Sequence, residues 1–218
     1  MHKGKKGLFV ALEGIGGVGK STVRDGMTQL MSFVGVTPVT TREPGGTDCA
    51  EHIRKLVKEG FPGTSEKMSP MGVTLLFNAA RADHMAKVIQ PALDDNRFVL
   101  CDRFCDSTFT YQHVINGVPL DKLGDLHKLV IGKFPDMTFI LDAPAEVAAQ
   151  RLSAHEKAHD QFDRAGIEKQ EAMRQAYLTL ARENPHRYFV VDATKSKSEV
   201  FDLVCPKIDE LIKIHLGD

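Results

Sequence analysis

The sequence predicts one α/β domain, a doubly wound sandwich in which helices cover both faces of a five-stranded parallel sheet. Two observations support this fold class. Short apolar runs alternate along the chain with longer stretches of helical periodicity, which is the element order of a parallel α/β fold. Most of these runs are continuously apolar, as in strands that are buried on both faces. A length of 218 residues suits one such domain, so residues 1–218 are assigned to a single domain.

The five apolar runs are the predicted strands, in the order Leu8–Leu12, Val36–Thr41, Phe98–Asp102, Met137–Asp142 and Tyr188–Asp192. The intervening stretches predict helices over Ser21–Phe33, Asp48–Lys58, Pro70–Leu93, Leu120–Ile131, Ala145–Arg151, Ile167–Glu183 and Ser198–Leu216. Strand one runs into a glycine-rich loop, strand two into TREPGGT and strand three into CDRF. Ligands of such sheets bind outside the carboxyl ends of the strands, so we expect these three segments to meet in one crevice.

Composition excludes several classes of protein. The formal net charge is −1, so no charged field indicates a nucleic-acid or membrane partner, and the basic start MHKGKKG is expected to be a solvated tail. The first apolar run, LFVAL, is too short for a signal-peptide core, and no run approaches a membrane span. The four cysteines form no C-x-x-C pair and are expected to be reduced thiols, which predicts a cytoplasmic protein.

A phosphate-binding loop (P-loop) follows the first strand. From Gly14 to Ser21 the sequence reads G-x-x-x-x-G-K-S and opens a helix, so backbone N–H groups can surround phosphate oxygens at the positive end of the helix dipole. Lys20 is expected to reach the β- and γ-phosphates and Ser21 to hold Mg²⁺. The residues predicted to bind ATP here are Gly14, Ile15, Gly16, Gly17, Val18, Gly19, Lys20, Ser21 and Thr22. This motif indicates triphosphate binding and leaves the reaction open.

Other P-loop classes fit the sequence poorly. A GTPase would need an N-K-x-D motif to read guanine, and the sequence has none. An ATPase of the partitioning type carries a signature lysine in the loop where this chain has Ile15. A kinase, or an ATPase with another ligand, remains.

Side chains at the other two strand ends favour a kinase with a small phosphorylated acceptor. Arg42 closes strand two and Arg103 follows strand three, and two arginines beside a P-loop can clamp a second phosphate. Phe77 and Arg81 are four residues apart on one helical face, where a ring and a guanidinium suit a flat base. Arg103, Ser107 and Tyr111 repeat at the same spacing and can line one wall.

The residues in these positions resemble the thymidylate kinase (dTMP kinase) family. The resemblance covers most of the chain in the same order, through EGIGGVGKST, TREPGGT, LLFNAARADH, IQPAL, DRFCDSTFTYQ, PDMTFILDAPAEVAAQRL, DRAGIE and VVDAT. It implies transfer of a phosphoryl group from Mg·ATP to dTMP, giving dTDP and ADP, by a protein that is typically a homodimer.

The resemblance also implies roles for individual residues. Phe77 is expected to stack on thymine, Arg81 to read its O4, and Arg42 and Arg103 to grip the acceptor phosphate. Further acceptor contacts are expected from Ser107 or Thr108 at the base edge, Tyr111 under the sugar, and Gln112 nearby. Arg151 is expected to stack on the adenine of ATP.

A short lid is expected over about 153–168. There the resemblance makes Arg164 a catalytic candidate that closes over the transferring phosphoryl group, with Lys157 or His155 as a second. Asp102 is expected either to orient a metal-bound water or to pair with Arg103, and these alternatives stay open. The expected catalytic set is therefore Lys20, Arg103 and Arg164.

The chain departs from the family pattern at the loop and the lid. Members usually carry an acid, which contacts the sugar 3′-hydroxyl, at the position of Gly16, and some carry arginine at the position of Gly17. DRAGIE has two residues more than the usual D-R-x-E, and His155 and His159 stand where bacterial relatives often have arginine. Because their charge changes near pH 6.5, the turnover is predicted to be lower or more pH-sensitive than that of a typical relative. Acceptance of dUMP stays open, as does a non-catalytic nucleotide-binding switch.

Overall fold

A five-stranded parallel sheet forms the centre of the molecule, as predicted. The computed structural model describes residues 5–153 and 166–217, and the strand order is β2-β3-β1-β4-β5. The strands are β1 Leu8–Glu13, β2 Val39–Arg42, β3 Phe98–Asp102, β4 Met137–Asp142 and β5 Tyr188–Asp192. Strand β2 begins three residues later than predicted. Pro38 has no N–H to donate to a ladder, and pairing with β3 starts at Val39 opposite Val99.

Helices follow the strands in alternation. Their bounds are α1 Lys20–Phe33, α2 Asp48–Glu59, α3 Pro70–His84, α4 Gln90–Asp94, α5 Cys105–Val114, α6 Leu120–Val130, α7 Ala145–Ser153, α8 Ile167–Glu183 and α9 Lys197–Leu216. The single helix predicted over Pro70–Leu93 is instead α3 and α4, joined by a π-helical segment at Met85–Ile89. Pro91 cannot donate to the carbonyl four residues before it, which favours a wider turn there. Helix α5 was indicated only by the spacing of Arg103, Ser107 and Tyr111.

Strand β1 places its side chains in two cores, one on each face of the sheet. Leu8, Val10 and Leu12 pack with residues of α1, α8 and α9, whereas Phe9 and Ala11 pack with the π-helical segment and α4. Phe9 is completely buried, and burying a side chain of this size contributes about 1.5–3 kcal/mol. Helices on both faces confirm the doubly wound architecture.

The carboxyl ends of three neighbouring strands meet at one edge, as predicted. Asp102 of β3 lies opposite both Leu12 of β1 and Arg42 of β2 in the strand register. The glycine loop, TREPGG and the Asp-Arg segment are therefore adjacent although they are far apart in sequence.

Two other predictions concern the chain as a whole. Cys101 and Cys105 are buried free thiols, whereas Cys49 is exposed. Within residues 5–153 and 166–217, every helix is too short or too polar to cross a bilayer.

Most of the predicted lid, including His155, Lys157, His159 and Arg164, lies outside the described residues.

Candidate active site

The glycine loop connects β1 to α1 in a backbone conformation that requires glycine. Gly14, Gly17 and Gly19 have φ angles of 136°, 84° and 95°, which L side chains rarely adopt. A Cβ at Gly17 would also meet the carbonyl oxygen of Ala148 on α7. The loop is therefore held between the end of β1 and α7, and no side chain fits at position 17.

Lys20 is the first residue of α1 and its side chain turns back over the loop. Its Nζ donates to the carbonyl oxygens of Gly14 at 3.0 Å and Ile15 at 2.8 Å. Lys20 is buried, with 8 % exposure, and its ammonium is held close to the backbone that would surround a phosphate. The side chains of Ile15 and Val18 are buried in the apolar core, so these two can offer only backbone groups to a nucleotide.

One cavity of about 450 Å³ opens beside this loop. All eight residues predicted to bind the acceptor line it, together with both predicted metal ligands. These are Arg42, Phe77, Arg81, Arg103, Ser107, Thr108, Tyr111 and Gln112, with Ser21 and Asp102. The structure adds lining residues that sequence reasoning did not single out, chiefly Arg24, Glu43, Arg54 and Lys58. Residues from six elements, α1, β2, α2, α3, β3 and α5, thus form one basic crevice next to the P-loop.

Arg81 is held in a buried network at the inner end of this cavity. Its Nε donates to Glu43 Oε2 at 2.7 Å and its Nη2 to the Phe104 carbonyl oxygen at 3.3 Å, while Nη1 has no hydrogen-bond partner among the described residues. His84 contacts Glu43 Oε1 through Nδ1 at 3.2 Å and the Thr41 hydroxyl through Nε2 at 2.7 Å. The guanidinium is therefore fixed, and Nη1 is a buried donor without a partner among the described residues, in the wall of a cavity that Phe77 also lines.

Arg42 lies at the opposite, open end of the cavity. Its side chain is 52 % exposed and Nη2 contacts Glu51 Oε1 at 2.9 Å. Partial burial acts to raise the pKa of Glu51, but hydrogen bonds from Arg42 and the Gly46 N–H lower it below its usual value. Arg54 of α2 donates to the Pro44 carbonyl oxygen at 2.9 Å beside the cis Glu43–Pro44 peptide, which places a second guanidinium at this end.

Arg103 stands between the P-loop and the cavity. Its backbone has φ 67°, in the left-handed region, and its N–H donates to the Leu12 carbonyl oxygen at 2.9 Å. Nη1 donates to the Gly14 carbonyl oxygen at 3.0 Å, and the guanidinium carbon lies 5.1 Å from the Tyr111 ring centroid. One arginine thus contacts the first loop glycine and packs over the residue predicted to lie under the sugar.

Glu13 is a buried acid that sequence reasoning missed. It is the last residue of β1, directly before Gly14, and is completely buried. Burial raises the pKa of this carboxyl, although the charge of Arg103 opposes the shift. An acid closing an otherwise apolar strand was the available signal, and its partners could not be read from the sequence.

Several predicted acceptor residues are engaged with the protein itself. The Ser107 hydroxyl donates to Glu13 Oε2 at 2.7 Å, and Gln112 Oε1 accepts from Thr74 at 3.2 Å and from Asn116 at 2.7 Å. Thr108 is buried in the same wall. These contacts fix the wall formed by α5.

The metal candidates suit magnesium. Ser21 and Asp102 offer a hydroxyl and a carboxylate in the same cavity, and Asp102 Oδ2 lies 3.5 Å from Arg24 Nη1. Across residues 5–153 and 166–217 no group of three His, Cys, Asp or Glu side chains could hold an ion. Few hard oxygen ligands from the protein are typical of Mg²⁺, which keeps waters and binds substrate phosphates.

Arg151 lies on the donor side, on α7. Its Nη1 donates to the Ala193 carbonyl oxygen at 2.6 Å and its Nη2 to that of Thr194 at 3.2 Å, in the segment after β5. The same helix packs on Gly17 through Ala148. Arg151 is therefore positioned at the carboxyl end of β5, on the side of the loop away from the acceptor cavity.

Comparison with known proteins gives one family. The thymidylate kinase family model matches residues 12–204. The thymidylate kinase of Dinoroseobacter shibae is 43 % identical over 194 residues, covering 89 % of this chain and 92 % of the relative, and that of Ruegeria pomeroyi is 40 % identical over 97 % of both. The crystal structure of thymidylate kinase from Ehrlichia chaffeensis superposes with a TM-score of 0.73 at 31 % identity, covering 93 % of this chain and 99 % of that one. The chain belongs to the thymidylate kinase family.

Proposed function

We propose that this chain transfers the γ-phosphoryl group of Mg·ATP to dTMP, giving dTDP and ADP for dTTP synthesis. The observation that carries the proposal is the continuity of the P-loop with one arginine-rich cavity. Relatives of 40–43 % identity that are named thymidylate kinase support the choice of acceptor.

On the donor side, the loop from Gly14 to Thr22 would surround the ATP phosphates with backbone N–H groups. Lys20 is already held against this backbone and would exchange its carbonyl contacts for the β- and γ-phosphates. Ser21 and Asp102 would hold Mg²⁺, which when bound neutralises charge on the triphosphate. Arg151 would face the adenine from α7.

On the acceptor side, Arg42 and Arg103 would bind the phosphate of dTMP, with Arg54 as a third base. Phe77 would stack on thymine and the remaining nitrogen of Arg81, Nη1, would donate to its O4. Tyr111 would lie under the deoxyribose, and Ser107, Thr108 and Gln112 would line the wall beside the base.

The catalytic contribution of the protein is positioning and charge neutralisation. The acceptor phosphate is already nucleophilic, so no general base is required. Arg103 contacts the donor loop and lines the acceptor cavity, which suits it to neutralise charge between the two phosphates. Arg164, outside the described residues, remains a prediction as a third catalytic base.

Two further proposals concern the oligomeric state and the cellular location. We infer that the chain forms a homodimer and that it acts in the cytoplasm. Exposed apolar side chains lie on two helices that contact each other, Leu75 on α3 with Leu120 and Leu129 on α6, and exposed apolar surface of this kind suits burial against a second copy. Sedimentation analysis tests the dimer.

A coupled assay of ADP release tests the activity. The wild-type protein should release ADP from Mg·ATP with dTMP, and much less with AMP, UMP or no acceptor. Lys20→Ala should lower kcat by about 10³-fold, because it removes the charge that meets the transferring phosphoryl group. ADP release that ignores the acceptor would contradict the proposal and favour a nucleotide-binding switch. The rate with dUMP decides whether the thymine methyl group is required.

A further inference from the structure

The guanidinium of Arg103 is held on one side by the protein. Its Nη1 contacts the Gly14 carbonyl oxygen at 3.0 Å, the Ser107 hydroxyl at 3.3 Å and the Tyr177 hydroxyl at 3.5 Å. Among the described residues no hydrogen bond reaches Nε or Nη2, and the side chain lines the cavity with 19 % exposure. One edge of the fork is therefore anchored while the other can meet a ligand.

The anchor is itself organised by Glu13. The carboxylate of Glu13 accepts from the Ser107 hydroxyl at 2.7 Å and from the Tyr177 hydroxyl at 2.8 Å, and its Oε2 lies 4.0 Å from Arg103 Nη1. Glu13 and Tyr177 are completely buried, and Ser107 and Arg103 are partly buried. Charged hydrogen bonds are strong in such surroundings, and an unpaired group is costly.

Glu13 also caps the helix that forms the acceptor wall. Phe104, the residue before α5, has no side chain that can cap it, and Glu13 Oε1 accepts instead from the N–H groups of Phe104 at 2.8 Å and Ser107 at 3.0 Å. A carboxylate at this end of a helix is favoured by the helix dipole. One side chain of β1 thus fixes both α5 and Arg103.

Tyr177 brings a third element to this point. It lies on α8, is completely buried, and its phenol contacts Glu13, Ser107 at 3.1 Å and Arg103. Burial raises the pKa of this phenol, so it stays protonated and can donate to Glu13. Its ring packs in the main core, which separates the function of the hydroxyl from that of the ring.

We propose that Glu13 and Tyr177 are positioning residues for Arg103, and that their hydrogen bonds determine how strongly the acceptor phosphate contributes to binding. This inference rests on the proposed function, since it takes the phosphate of dTMP as the group that Arg103 meets. It differs from a general packing role because loss of the Tyr177 hydroxyl is predicted to affect the binding of the phosphate alone.

Thymidine and dTMP provide the test, since they differ only in the phosphate. Isothermal titration with each ligand gives two Kd values for every variant. Tyr177→Phe keeps the ring and removes the hydroxyl, so the Kd for dTMP should rise about tenfold while that for thymidine stays within about twofold. The kcat/KM for dTMP should fall by the same factor as the dTMP affinity.

Tyr188→Phe is the matched control. Tyr188 is also a buried tyrosine, and its hydroxyl donates at 2.9 Å to Asp106, a neighbour of Ser107 on α5 that has no described contact with Arg103. Both Kd values should stay within about twofold of the wild type. Glu13→Gln should weaken dTMP binding more than Tyr177→Phe, and if it fails to fold the tyrosine pair still decides the question.

Three results would overturn the inference: equal weakening of thymidine and dTMP in Tyr177→Phe, equal effects in Tyr177→Phe and Tyr188→Phe, or no effect of Tyr177→Phe. Failure of the proposed function would appear separately, as a wild-type protein that shows no turnover of dTMP. The ratio of the two Kd values measures the contribution of the phosphate in that case too.

Discussion

The donor and acceptor halves of the candidate active site are built in different ways. The phosphate-binding part of the donor half is one continuous segment, from Gly14 to Thr22, in which glycines and backbone groups provide the binding surface. The acceptor half draws side chains from β2, α2, α3, β3 and α5 and holds them through buried ion pairs and hydrogen bonds. A local backbone shape thus defines the first half, and long-range side-chain contacts define the second.

This difference predicts which kind of substitution damages each half. The loop depends on φ angles and on close approach to α7, so an added methyl group should damage it. The acceptor half depends on compensated charges, so removal of one partner should leave the other buried and unpaired. The three predictions below test this contrast.

Arg81→Ala should show the largest effect, a loss of about 4 kcal/mol in the free energy of unfolding. It leaves Glu43 buried at 5 % exposure without its guanidinium, and breaking a buried pair costs about 3–5 kcal/mol. Arg42→Ala is the matched control, because its pair with Glu51 is exposed and worth at most about 1 kcal/mol. Urea denaturation of both variants measures the difference.

The same pair of variants separates stability from binding. Both should raise the KM for dTMP, but only Arg81→Ala should lose stability. Arg81→Met combined with Glu43→Gln should recover part of the stability while the KM stays high, since no buried charge is then unpaired. Equal losses of stability in the two alanine variants would mean that burial does not distinguish the arginines.

Gly17→Ala should show the second-largest effect, a loss of about 3 kcal/mol in the free energy of unfolding, compared with a loss of about 1 kcal/mol for Gly19→Ala. Both positions have positive φ, which costs about 1–2 kcal/mol for an L residue. Only at Gly17 would a Cβ meet the Ala148 carbonyl oxygen and, at 2.8 Å, Leu152 Cγ; nothing lies within 4 Å of one at Gly19. Unfolding and ATP titration measure both variants, and equal effects would assign the cost to φ alone.

The smallest of the three effects is expected at His127, where it concerns the dependence of the free energy of unfolding on pH. Its ring lies on α6, packs edge-on against Phe109 of the acceptor-wall helix, and has no hydrogen-bond partner among the described residues. Burial lowers the pKa of His127 to about 3. In the unfolded chain the pKa of this histidine is near 6.5, so below that pH the unfolded chain binds a proton that the folded chain does not bind. The contribution of neutral His127 to stability is therefore complete above pH 6.5 and is lost as the pH falls below it.

At pH 5.5 this uptake should cost about 1.4 kcal/mol relative to pH 7.5, one pKa unit of linkage. His127→Phe removes the titrating group, so its stability should fall by that much less than that of the wild type between these values. Urea denaturation at pH 5.5, 7.5 and 8.5 gives the free energy of unfolding at each pH. Its slope against pH should be the same for the two proteins above pH 7.5. Parallel slopes below pH 7.5 would show that His127 is protonated in the folded state.

The prediction from sequence was most complete where the signal is local. The bounds of β3, β4 and β5, the loop and the meeting of three strand ends follow from apolar runs and from glycine spacing. The prediction was weakest where distant side chains must find each other. Gln112 was placed near the substrate without its contacts to Thr74 and Asn116, and neither role expected of Asp102 included the contact with Arg24 that the structure shows.

The sequence by itself determined the α/β order and the phosphate loop and, with the family resemblance, indicated ten of the residues that line the acceptor cavity, because each of these signals lies in the spacing of a few neighbouring residues. Only the tertiary structure decided how those residues are held. Glu43 fixes Arg81 through a hydrogen bond between residues that are 38 positions apart in the chain. Glu13 and Tyr177 fix Arg103, and the hydrogen bond between these two joins residues that are 164 positions apart. A buried charge must have partners, and which partners it finds depends on the packing of the sheet and helices, not on the order of the residues.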